Sequence, residues 1–569
     1  MSLAFTSNRV LGRRPEPWDA GDYCRLFLDP AVTRWLDPPP APPPEEQRAR
    51  DSLARDIDHW EHHGFGPAVL VDSQDGAFLG RGGLNWTTVA GEFAVELPWA
   101  LLPARWGEGL ATEAARAALA WARDLELGEV VSLALIDNHA SQRVMQKVGM
   151  QRDGEIEHAG LAHVRYRLRF PRPSATTVPF WQDRPYAPRP PLRGEERCEV
   201  CVIGGGMGGV ATTFHLAERG IRAVLLEAAT LAGGASGRNG GFLIAGAAPM
   251  YHETCRLWGR ERARRVHQAT LDGQAAVVEL AGEVGAAGAL RIAGLLRLAM
   301  DAEESSDVLA HHAALVRDGF PGEVLEAPEL PPAIRRPGRR ALMTPHDGGM
   351  DPVQLIRSIA DALVRRGARI FESTPAAAPL SVEQDHVVVE TPQGRVLAGT
   401  VVVALDGQLA GLVPAAGAVR SRRLNACASA PAPRGHLPLP VYARHGTEYV
   451  QQLPDGRVVL GGFSDLDGDA SWTAEAKVSE PVQARLDRYL REELGVRAPV
   501  THRWAGVVGY AEDPLPRCGP VPGTNGRVFA LGGYNGTGNV QSFVAARIVS
   551  ELITAGASVD ADLYAPVGA

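Results

Sequence analysis

The chain has 569 residues, of which 45% are hydrophobic and 22% are charged, and its formal net charge is −8. This length exceeds what one hydrophobic core usually supports, so we expect two or three globular domains. The acidic balance argues against a nucleic-acid partner, and no apolar run approaches the roughly 20 residues of a membrane-spanning helix. The start of the sequence lacks the apolar core of a signal peptide, so the cytoplasm is the expected location.

The composition also limits the chemistry. Six cysteines are too few for a disulfide framework, and we interpret the Cys198 and Cys201 pair as residues of a buried strand. There is no H-E-x-x-H and no second C-x-x-C, so we predict no metal site. The only lysines are Lys147 and Lys477, which leaves few lysines for proton relays or oxygen chemistry.

Residues 1–172 carry the alternating strand and helix patterns of a first domain. Apolar residues at strand spacing and at helix spacing predict its elements. In chain order these are a strand near residue 9, a helix from about 17, an extended Pro-rich loop at 38–44, a helix over 45–62 and strands over 68–71, 78–84 and 92–101.

A glycine-bearing loop, Arg105-Trp106-Gly107-Glu108-Gly109-Leu110-Ala111, then opens a predicted helix over 111–125. Free N–H groups at such a helix N-terminus form a cradle for phosphate. The loop lacks the Lys and Ser or Thr of a nucleotide-hydrolysing loop. A strand over 130–136 follows, and Asn138, Ser141 and Lys147 mark one further helix, which ends at Gly149.

These motifs resemble the GNAT family of acyl-CoA N-acetyltransferases, in particular its branch of ribosomal-protein N-terminal acetyltransferases. The glycine-bearing loop matches the family's pyrophosphate loop, and Asn138 to Gly149 match its second motif. The resemblance implies that acetyl-CoA binds in this domain as a co-substrate. The residues expected to bind it are Arg105, Gly107, Glu108, Gly109, Leu110, Ala111, Asn138 and Ser141.

Attack of an amine on a thioester requires a base for the ammonium proton and an acid for the leaving thiolate. By the resemblance, Glu96 is the first candidate for the base and Glu92 is the second. Many relatives carry a tyrosine acid where this chain has Met145, so Ser141 remains the candidate for protonating the thiolate. The missing tyrosine leaves open a domain that binds acyl-CoA without catalysis.

A proline-rich segment over 173–194 follows, and we interpret it as an extended linker or arm. Phe180, Trp181 and Tyr186 suggest that part of it packs onto a domain. We expect a second, larger domain over 195–569.

This second domain begins with a βαβ dinucleotide unit. An apolar strand runs into Gly204-Gly205-Gly206-Met207-Gly208-Gly209, a helix follows, and a second strand ends on Glu227. Gly204 permits the turn, Gly206 lets the backbone approach a pyrophosphate, and Gly209 lets helix and strand pack closely. The Glu227 carboxylate is placed to accept hydrogen bonds from ribose hydroxyls.

Two later glycine-rich segments, 231–241 and 532–539, imply close backbone approach to a flat or phosphorylated ligand. With the dinucleotide unit and the Trp504-Ala505-Gly506 segment, they resemble the D-amino-acid-oxidase-like (DAO) family of FAD enzymes. That family includes glycine oxidase, sarcosine oxidase and gamma-glutamylputrescine oxidase. The residues expected to bind FAD are Gly204, Gly206, Met207, Gly208, Gly209, Glu227, Ala228, Ser236, Arg238, Asn239, Gly240, Gly241, Gly506, Gly533, Tyr534, Asn535, Gly536, Thr537 and Gly538.

The resemblances imply a multidomain protein of α/β and α+β class. Its parts are a GNAT fold and a Rossmann-like FAD fold with an antiparallel-sheet substrate domain. The FAD-binding parts are expected at about 195–250, 345–410 and 500–569, and the substrate domain at 251–344 and 411–499. Within the latter we predict helices over 256–280 and 301–317.

Hydride removal from the carbon beside a neutral amine needs the flavin more than a side-chain base. Tyr449, Trp504 and Tyr534 are the candidates for facing the flavin, the first two as catalytic residues. Arg444 and Arg503, with Tyr534, are candidates for binding the substrate and its carboxylate.

Two departures from the family affect the flavin chemistry. The 231–241 segment lacks the histidine or cysteine that tethers FAD in some relatives, and Cys518 lies outside the usual attachment pattern, so we expect non-covalent FAD. Sarcosine oxidase-like members use a lysine near the flavin for the reaction with oxygen. The only lysine of this half is Lys477, in a helix that we expect to be exposed, so the expected electron acceptor is O2 or another acceptor.

Three hypotheses follow. The first is a bifunctional enzyme that oxidises a small amine or amino acid and acetylates an amine. The second is an amine oxidoreductase whose first domain only binds acyl-CoA or acts as a scaffold. The third is an FAD-bound structural or tRNA-modification-related protein that performs neither reaction.

Overall fold

The computed structural model describes residues 3–36, 45–89, 92–125, 127, 129–170, 175–417 and 419–568. The predicted Pro-rich loop at 38–44 lies outside these ranges, as do the first two residues of the predicted linker. Within the described ranges, no helix combines the length and the apolar character that crossing a membrane requires.

The first domain contains ten strands and five helices among the described residues. The strands are β1 (Leu3–Thr6), β2 (Val10–Arg13), β3 (Pro67–Asp72), β4 (Phe78–Gly83), β5 (Asn85–Val89), β6 (Glu92–Glu96), β7 (Trp99–Leu101), β8 (Glu129–Leu135), β9 (Gln151–His158) and β10 (Leu161–Arg169). The helices are α1 (Ala20–Phe27), α2 (Pro30–Leu36), α3 (Glu46–His63), α4 (Leu110–Asp124) and α5 (His139–Lys147).

These strands form two sheets that diverge, with orders β1-β2-β3-β4-β7 and β5-β6-β8-β10-β9. The predicted single strand over 92–101 is interrupted at Pro98, which has no N–H to donate. Its first half pairs with β8 at Glu96, and its second half pairs with β4. The two sheets therefore separate beside β8, and the gap lies next to the N-terminus of α4.

The second domain contains the remaining elements. Its strands are β11 (Gly194–Ile203), β12 (Val224–Leu226), β13 (Phe242–Leu243), β14 (Leu290–Arg291), β15 (Leu295–Leu298), β16 (Glu323–Glu326), β17 (Arg340–Thr344), β18 (Gly348–Met350), β19 (Arg369–Phe371), β20 (Ser381–Val382), β21 (Val387–Thr391), β22 (Gly394–Val403), β23 (Val419–Ser429), β24 (Val441–Ala443), β25 (Glu448–Gln452), β26 (Val458–Gly462), β27 (Val500–Ala511), β28 (Arg517–Pro520) and β29 (Val528–Gly532). Its helices are α6 (Met207–Glu218), α7 (Tyr251–Trp258), α8 (Arg260–Glu283), α9 (Ala302–Arg317), α10 (Pro352–Arg365), α11 (Glu480–Arg488) and α12 (Gly538–Ala555).

A largely parallel sheet forms the nucleotide half of this domain. Its strand order is β19-β12-β11-β22-β21-β20, and β29 pairs in parallel beside β22. The carboxyl-terminal residues of β11 (200–203) and β22 (401–403) and all of β12 are buried and mostly Val, Ile and Leu, because helices and other strands cover both faces of the sheet there. Ligands of such sheets bind at the carboxyl ends of the strands, where Gly204 and Asp406 lie.

An eight-stranded sheet, β16-β17-β15-β24-β25-β26-β23-β27, forms the other half. Residues 500–511, expected in an FAD-binding part, form β27, which pairs with β23 of this sheet along its length. The helix predicted over 256–280 is two helices, because Gly259 between α7 and α8 adopts a left-handed φ of 79°.

The proline-rich segment binds to the second domain as an arm. The Tyr186 hydroxyl and the Arg189 N–H both donate to the buried Glu372 carboxylate, each at 2.7 Å. The Arg184 guanidinium pairs with Asp351 at 2.6 Å, and Thr176 exchanges backbone hydrogen bonds with the start of β27. From Thr176 onward, the arm therefore belongs structurally to the second domain.

Candidate active sites

The predicted dinucleotide loop is tightly built. Gly204 has a left-handed φ of 113°, which favours glycine. A Cβ placed on Gly209 would overlap the Gly204 carbonyl oxygen, so this position admits no side chain. Gly204 and Gly209 therefore shape the turn and the helix packing without lining the cavity beside them.

Gly206 and Gly208 line that cavity, together with Ser236, Tyr534 and Ser542. The hydroxyl oxygens of Tyr534 and Ser542 are buried and have no hydrogen-bond partner among the described residues. A cavity with unpartnered donors and glycine walls, next to the N-termini of α6 and α12, suits a dinucleotide pyrophosphate. The residues present therefore fit FAD.

The Glu227 carboxylate folds back over the loop. It accepts the Gly205 N–H at 2.7 Å and the Ala229 N–H at 2.8 Å. Burial raises its pKa, while these two N–H groups act in the opposite direction. Ala228 beside it is exposed. This placement leaves Glu227 next to the loop, where the ribose of a bound nucleotide is expected.

The segment 235–241 is clamped by side chains from distant parts of the chain. The Gln451 amide donates to the carbonyls of Gly240 and Gly241, both at 2.6 Å. The Trp181 indole of the arm donates to the Asn239 carbonyl at 2.8 Å. Gly241 adopts a φ of 73°. The clamp holds the backbone of this segment along the cavity, as expected for a segment that contacts a flat ring.

A second cavity adjoins the first and shares residues with it. It is lined by Ala235, Arg238, Asn239, Gly240, Phe242, Ile244, Leu424, Tyr442, Tyr449, Gly506, Val508, Gly536, Thr537 and Asn539. We call it the amine cavity. A Cβ on Gly240 would lie 2.5 Å from the Tyr449 ring, so the absence of a side chain there lets the tyrosine approach the segment. Tyr449 packs edge-on against Phe242, at 5.7 Å between ring centroids, and burial raises its pKa.

Among the described residues that line the amine cavity, Arg238 is the only charged one. Its guanidinium donates to the carbonyls of Gly233 at 2.9 Å and Ala505 at 3.1 Å. Burial lowers its pKa. Arg238 therefore holds two backbone segments together, and the rest of the lining is aromatic, apolar or uncharged.

Three expected site residues lie away from the amine cavity. Arg444 pairs with Glu448 at 2.8 Å and with Asp465 at 3.0 Å, on the surface. Arg503 lies on the β27 face that meets α11 and pairs with Asp487 at 2.9 Å. These ion pairs correct the expectation that the two arginines bind a substrate carboxylate.

Trp504 is the third. It is 0% exposed and belongs to the hydrophobic core, and its indole donates to the Arg238 carbonyl at 2.9 Å. Trp504 therefore positions the clamped segment and does not face the cavity as a catalytic residue would.

The turn before α12 depends on Asp406, which the sequence analysis did not identify. The Asp406 carboxylate accepts N–H groups from Gly509 at 2.8 Å and from Gly533 at 3.0 Å. Burial raises its pKa, and these N–H groups counteract the effect. Gly533 and Asn535 have positive φ angles and are not among the described lining residues, whereas Tyr534, Gly536, Thr537 and Gly538 line the cavities. The available signal was the Asp-Gly pair that directly follows the apolar run over 400–405.

Two further residues bear on the flavin chemistry. Cys518 is buried, and burial raises the pKa of its thiol to about 12. No cysteine or histidine is among the described residues that line the two cavities. Lys477 is exposed in the loop before α11, not in a helix as predicted. These positions agree with non-covalent FAD, which remains a prediction.

In the first domain, a cleft of about 530 Å³ opens where the two sheets separate. It brings together seven of the eight residues expected to bind acetyl-CoA, and Glu96. These lining residues are Glu96, Arg105, Gly107, Gly109, Leu110, Ala111, Asn138 and Ser141. The eighth, Glu108, instead pairs with the Arg105 guanidinium at 3.0 Å.

The loop geometry leaves the N-terminus of α4 accessible. Gly107 and Gly109 have φ angles of 83° and 81°, and nothing lies within 4 Å of where a Gly107 side chain would begin. Open space on the cleft side of a helix N-terminus provides room and N–H donors for phosphate. Arg105 also pairs with Asp72 at 3.2 Å, which anchors the loop to β3.

The candidate acid and base residues lie in different surroundings. Glu96 is half-buried at the end of β6, and burial raises its pKa while the charge of Arg81 opposes the rise. Met145 is fully buried in the core, so no acid replaces the family's tyrosine there. The Ser141 backbone N–H donates to the Asn138 side chain at 3.1 Å. The Glu92 side chain lies outside the part of the chain that the structure describes.

The sequence analysis missed two histidines that line the same cleft. His158 and His163 come from the β9–β10 hairpin, with ring centroids 5.7 Å apart. Burial and the neighbouring His163 lower the pKa of His158. Both are isolated in sequence from the GNAT motifs, so only strand pairing brings them to the cleft.

Comparison with known proteins agrees with this architecture. A family model described as FAD dependent oxidoreductase (DAO) matches residues 199–552. A second, described as acetyltransferase (GNAT) domain, matches residues 9–151. These matches confirm the two families predicted from the motifs.

Individual relatives match the second domain. The Probable oxidoreductase OrdL of Rhizobium meliloti is 28% identical over 68% of this chain and 89% of its own length. The Gamma-glutamylputrescine oxidoreductase of Escherichia coli is 26% identical over 65% of this chain and 86% of its own. The crystal structure of glycine oxidase from Geobacillus kaustophilus superposes with a TM-score of 0.55 at 23% identity. It covers 65% of this chain and 98% of that protein, and it shows the fold of this half.

Proposed function

The chain belongs to the FAD dependent oxidoreductase (DAO) family, and we propose that it oxidises a carbon–nitrogen bond of a small amine-bearing metabolite and N-acetylates an amine. It is an FAD-dependent oxidoreductase fused to a GNAT acetyltransferase domain. We propose three things beyond the family: that the substrate is a small amine-bearing metabolite, that an amine is acetylated, and that both reactions act on the same metabolite or its product.

The observation that carries the oxidation is the lining of the amine cavity. Phe242, Tyr442, Tyr449, Leu424 and Val508 give it aromatic and apolar walls. Apolar surroundings disfavour an ammonium ion and lower the pKa of an amine, so the bound substrate stays neutral. A neutral amine has the lone pair that supports hydride loss from the adjacent carbon.

Gly206, Gly208, Ser236 and the turn before α12 would hold FAD, which would supply the acceptor for that hydride equivalent. The clamped segment would fix one wall of the site, and Tyr449 and Phe242, which pack beside it, would contact the substrate. Loss of hydride and of the nitrogen-bound proton leaves an imine, which water hydrolyses to a carbonyl compound and an amine or ammonia. The electrons pass on to O2 or to another acceptor.

The experiment is anaerobic mixing of the FAD-loaded protein with a panel of primary, secondary and N-methyl amines while the flavin absorbance is followed. We expect at least one amine to bleach the flavin in a substrate-dependent, saturable manner. If dithionite bleaches the flavin and no amine does, the proposed oxidation is wrong.

The acetyl transfer is supported by the cleft of the first domain. Acetyl-CoA phosphates would meet the N–H groups of Gly107 to Ala111, and the thioester would lie toward Glu96 and Ser141. Glu96 would remove the ammonium proton of the attacking amine. The alternative is a domain that binds acyl-CoA without transfer, and the buried Met145 is the observation that favours it.

A Glu96→Gln substitution separates these two possibilities. We expect the acetyl-transfer rate to fall by about 10²–10⁴-fold, as for loss of a general base, with acetyl-CoA affinity unchanged. Because burial raises the pKa of Glu96, the wild-type rate should rise with pH through a value above the ordinary glutamate pKa of about 4.3. This rise of the acetyl-transfer rate with pH should be absent in the Glu96→Gln variant.

The control is Glu61→Gln, since Glu61 is an exposed partner of Arg14 on α3. Equal rates for Glu96→Gln and Glu61→Gln, or no acetyl transfer by the wild-type protein, would contradict the assigned base.

The two reactions constrain each other's order. An acetylated nitrogen is an amide, and an amide lone pair does not support hydride loss. Acetylation therefore follows oxidation, or takes place at a second nitrogen. Both a diamine and an N-alkyl amine whose oxidation frees a primary amine meet this condition.

A further inference from the structure

A small polar pocket lies beside the amine cavity. It has a volume of about 20 Å³, room for one water or for the oxygen atoms of one carboxylate group. Its charged and histidine lining residues are Arg297, His267, His311, His346 and Asp347, and Tyr251, Thr254 and Thr344 add hydroxyl groups. None of these residues belongs to the flavin or acetyl-CoA sites described above.

The pocket shares a wall with the amine cavity. Ile244 lines the amine cavity, and the next residue, Ala245, lines the pocket. The Arg297 guanidinium lies 5.7 Å from the centroid of the Tyr442 ring, and that ring faces the amine cavity. A ligand in the amine cavity thus has a cationic pocket directly behind its aromatic wall.

The pocket holds polar atoms that lack partners among the described residues. His267 is 7% exposed and His311 is 5% exposed, yet His267 Nε2 and His311 Nδ1 have no hydrogen-bond partner. The same holds for Arg297 Nε, which is also buried. Buried polar groups are nearly always hydrogen-bonded, so unpartnered ones that line a cavity indicate a ligand.

The charges in the pocket define the kind of ligand. The one carboxylate, Asp347, already accepts the Ala245 N–H at 2.9 Å, the Gln274 amide at 3.1 Å and the Thr344 hydroxyl at 2.6 Å. The Arg297 guanidinium repels a metal or ammonium ion and attracts an anion. Its positive charge also contributes, after burial, to lowering the pKa of both His267 and His311. An oxyanion of carboxylate size would satisfy the guanidinium and the ring N–H groups together.

We propose that this pocket binds a carboxylate, and that the amine oxidised next to it carries this carboxylate on the far side of Tyr442 from the reacting carbon. This proposal rests on the proposed amine oxidation. The substrates of the flavin half are then amino carboxylates in which a carbon chain separates the amine from the carboxylate. A free small carboxylate such as acetate has the same chemistry and would occupy the same pocket.

The experiment compares ω-amino carboxylates with n-alkylamines of the same chain length as reductants of the FAD-loaded protein. At the best length we expect the amino carboxylate to have a kcat/KM at least roughly tenfold higher. Arg297→Gln and, separately, His311→Asn should remove this difference by slowing only the acidic substrate. His312→Asn, a change to the neighbouring residue of α9 outside the pocket, should retain it. No preference in the wild-type protein, or a preference unchanged in both pocket variants, overturns the proposal.

Calorimetric titration with acetate tests the pocket independently of turnover. Wild-type and His312→Asn proteins should bind acetate, and Arg297→Gln and His311→Asn should bind it at least about tenfold more weakly. Equal acetate binding by all four proteins, or none by the wild type, overturns the site. If no amine reduces the flavin but acetate binding follows this pattern, the amine oxidation is wrong and the carboxylate pocket stands.

Discussion

Gly206→Val should yield a folded, colourless protein that does not retain FAD. Gly206 has φ −83° and ψ −172°, which valine adopts without strain, so the backbone itself tolerates the change. The new Cβ would lie 2.8 Å from the Ser236 hydroxyl, and the branched side chain would enter the cavity that the pyrophosphate needs. Losing two or more hydrogen bonds to a charged group, each about 1.5–3 kcal/mol, weakens binding by roughly a hundredfold or more.

The measurement is the FAD released from the purified protein by acid denaturation, with thermal unfolding recorded beside it. The matched control is Gly282→Val in α8, where a Cβ meets nothing within 4 Å. Full flavin content in Gly206→Val would contradict the placement of the dinucleotide. Flavin that stays with the denatured wild-type polypeptide would contradict non-covalent binding.

Gly107→Val combined with Gly109→Val should abolish acetyl-CoA binding and acetyl transfer while leaving the flavin intact. Both glycines line the cleft, and valine side chains there would occupy the space beside the N-terminus of α4. Losing two or more hydrogen bonds to the charged phosphates, each about 1.5–3 kcal/mol, should lower the affinity for acetyl-CoA by roughly a hundredfold or more. Calorimetric titration with acetyl-CoA measures it directly.

The control must share the backbone strain, because Gly107 and Gly109 have left-handed φ angles that valine disfavours. Gly76 has a φ of 74° in the turn between β3 and β4, with nothing within 4 Å of its Cβ position. Gly76→Val should therefore lose some stability and keep full acetyl-CoA affinity. Unchanged affinity in the double variant would mean that the cradle lies elsewhere.

Local patterns predicted the elements that depend on local physics. The βαβ unit follows from its strand, its glycines and Glu227, all within one short stretch, and the observed β11, α6 and β12 agree with it. The glycine-bearing loop before α4 was likewise recognisable, because a helix N-terminus and its phosphate cradle form from consecutive residues.

The missed features depend on partners far along the chain. Whether Arg503 faces the cavity or α11 depends on the register of β27 against β23, and a one-residue shift reverses the face. Trp504, its neighbour, consequently points to the opposite side and packs in the core. Asp406 was missed because its partners, Gly509 and Gly533, lie more than a hundred residues away.

The polar pocket was also missed because its residues lie far apart in the sequence. Its three histidine rings and its guanidinium come from α8, α9, β15 and the β17–β18 turn, and no spacing in the sequence connects them. By contrast, the arm was partly predictable, because Trp181 and Tyr186 are large aromatic residues in an otherwise extended segment. Their docking on Asn239 and Glu372 explains why this segment contributes to the flavin half.

The most direct test of the account is to incubate the full-length protein with FAD, acetyl-CoA and an amine that bleaches the flavin, and to follow the products by mass. Gly206→Val and the Gly107→Val/Gly109→Val protein serve as controls that lack one half each. We predict a compound that has lost the carbon–nitrogen bond and also carries an acetyl group on nitrogen, made by the wild-type protein and by neither control. If no substrate or product of the flavin half is ever acetylated, the coupling of the two reactions is contradicted.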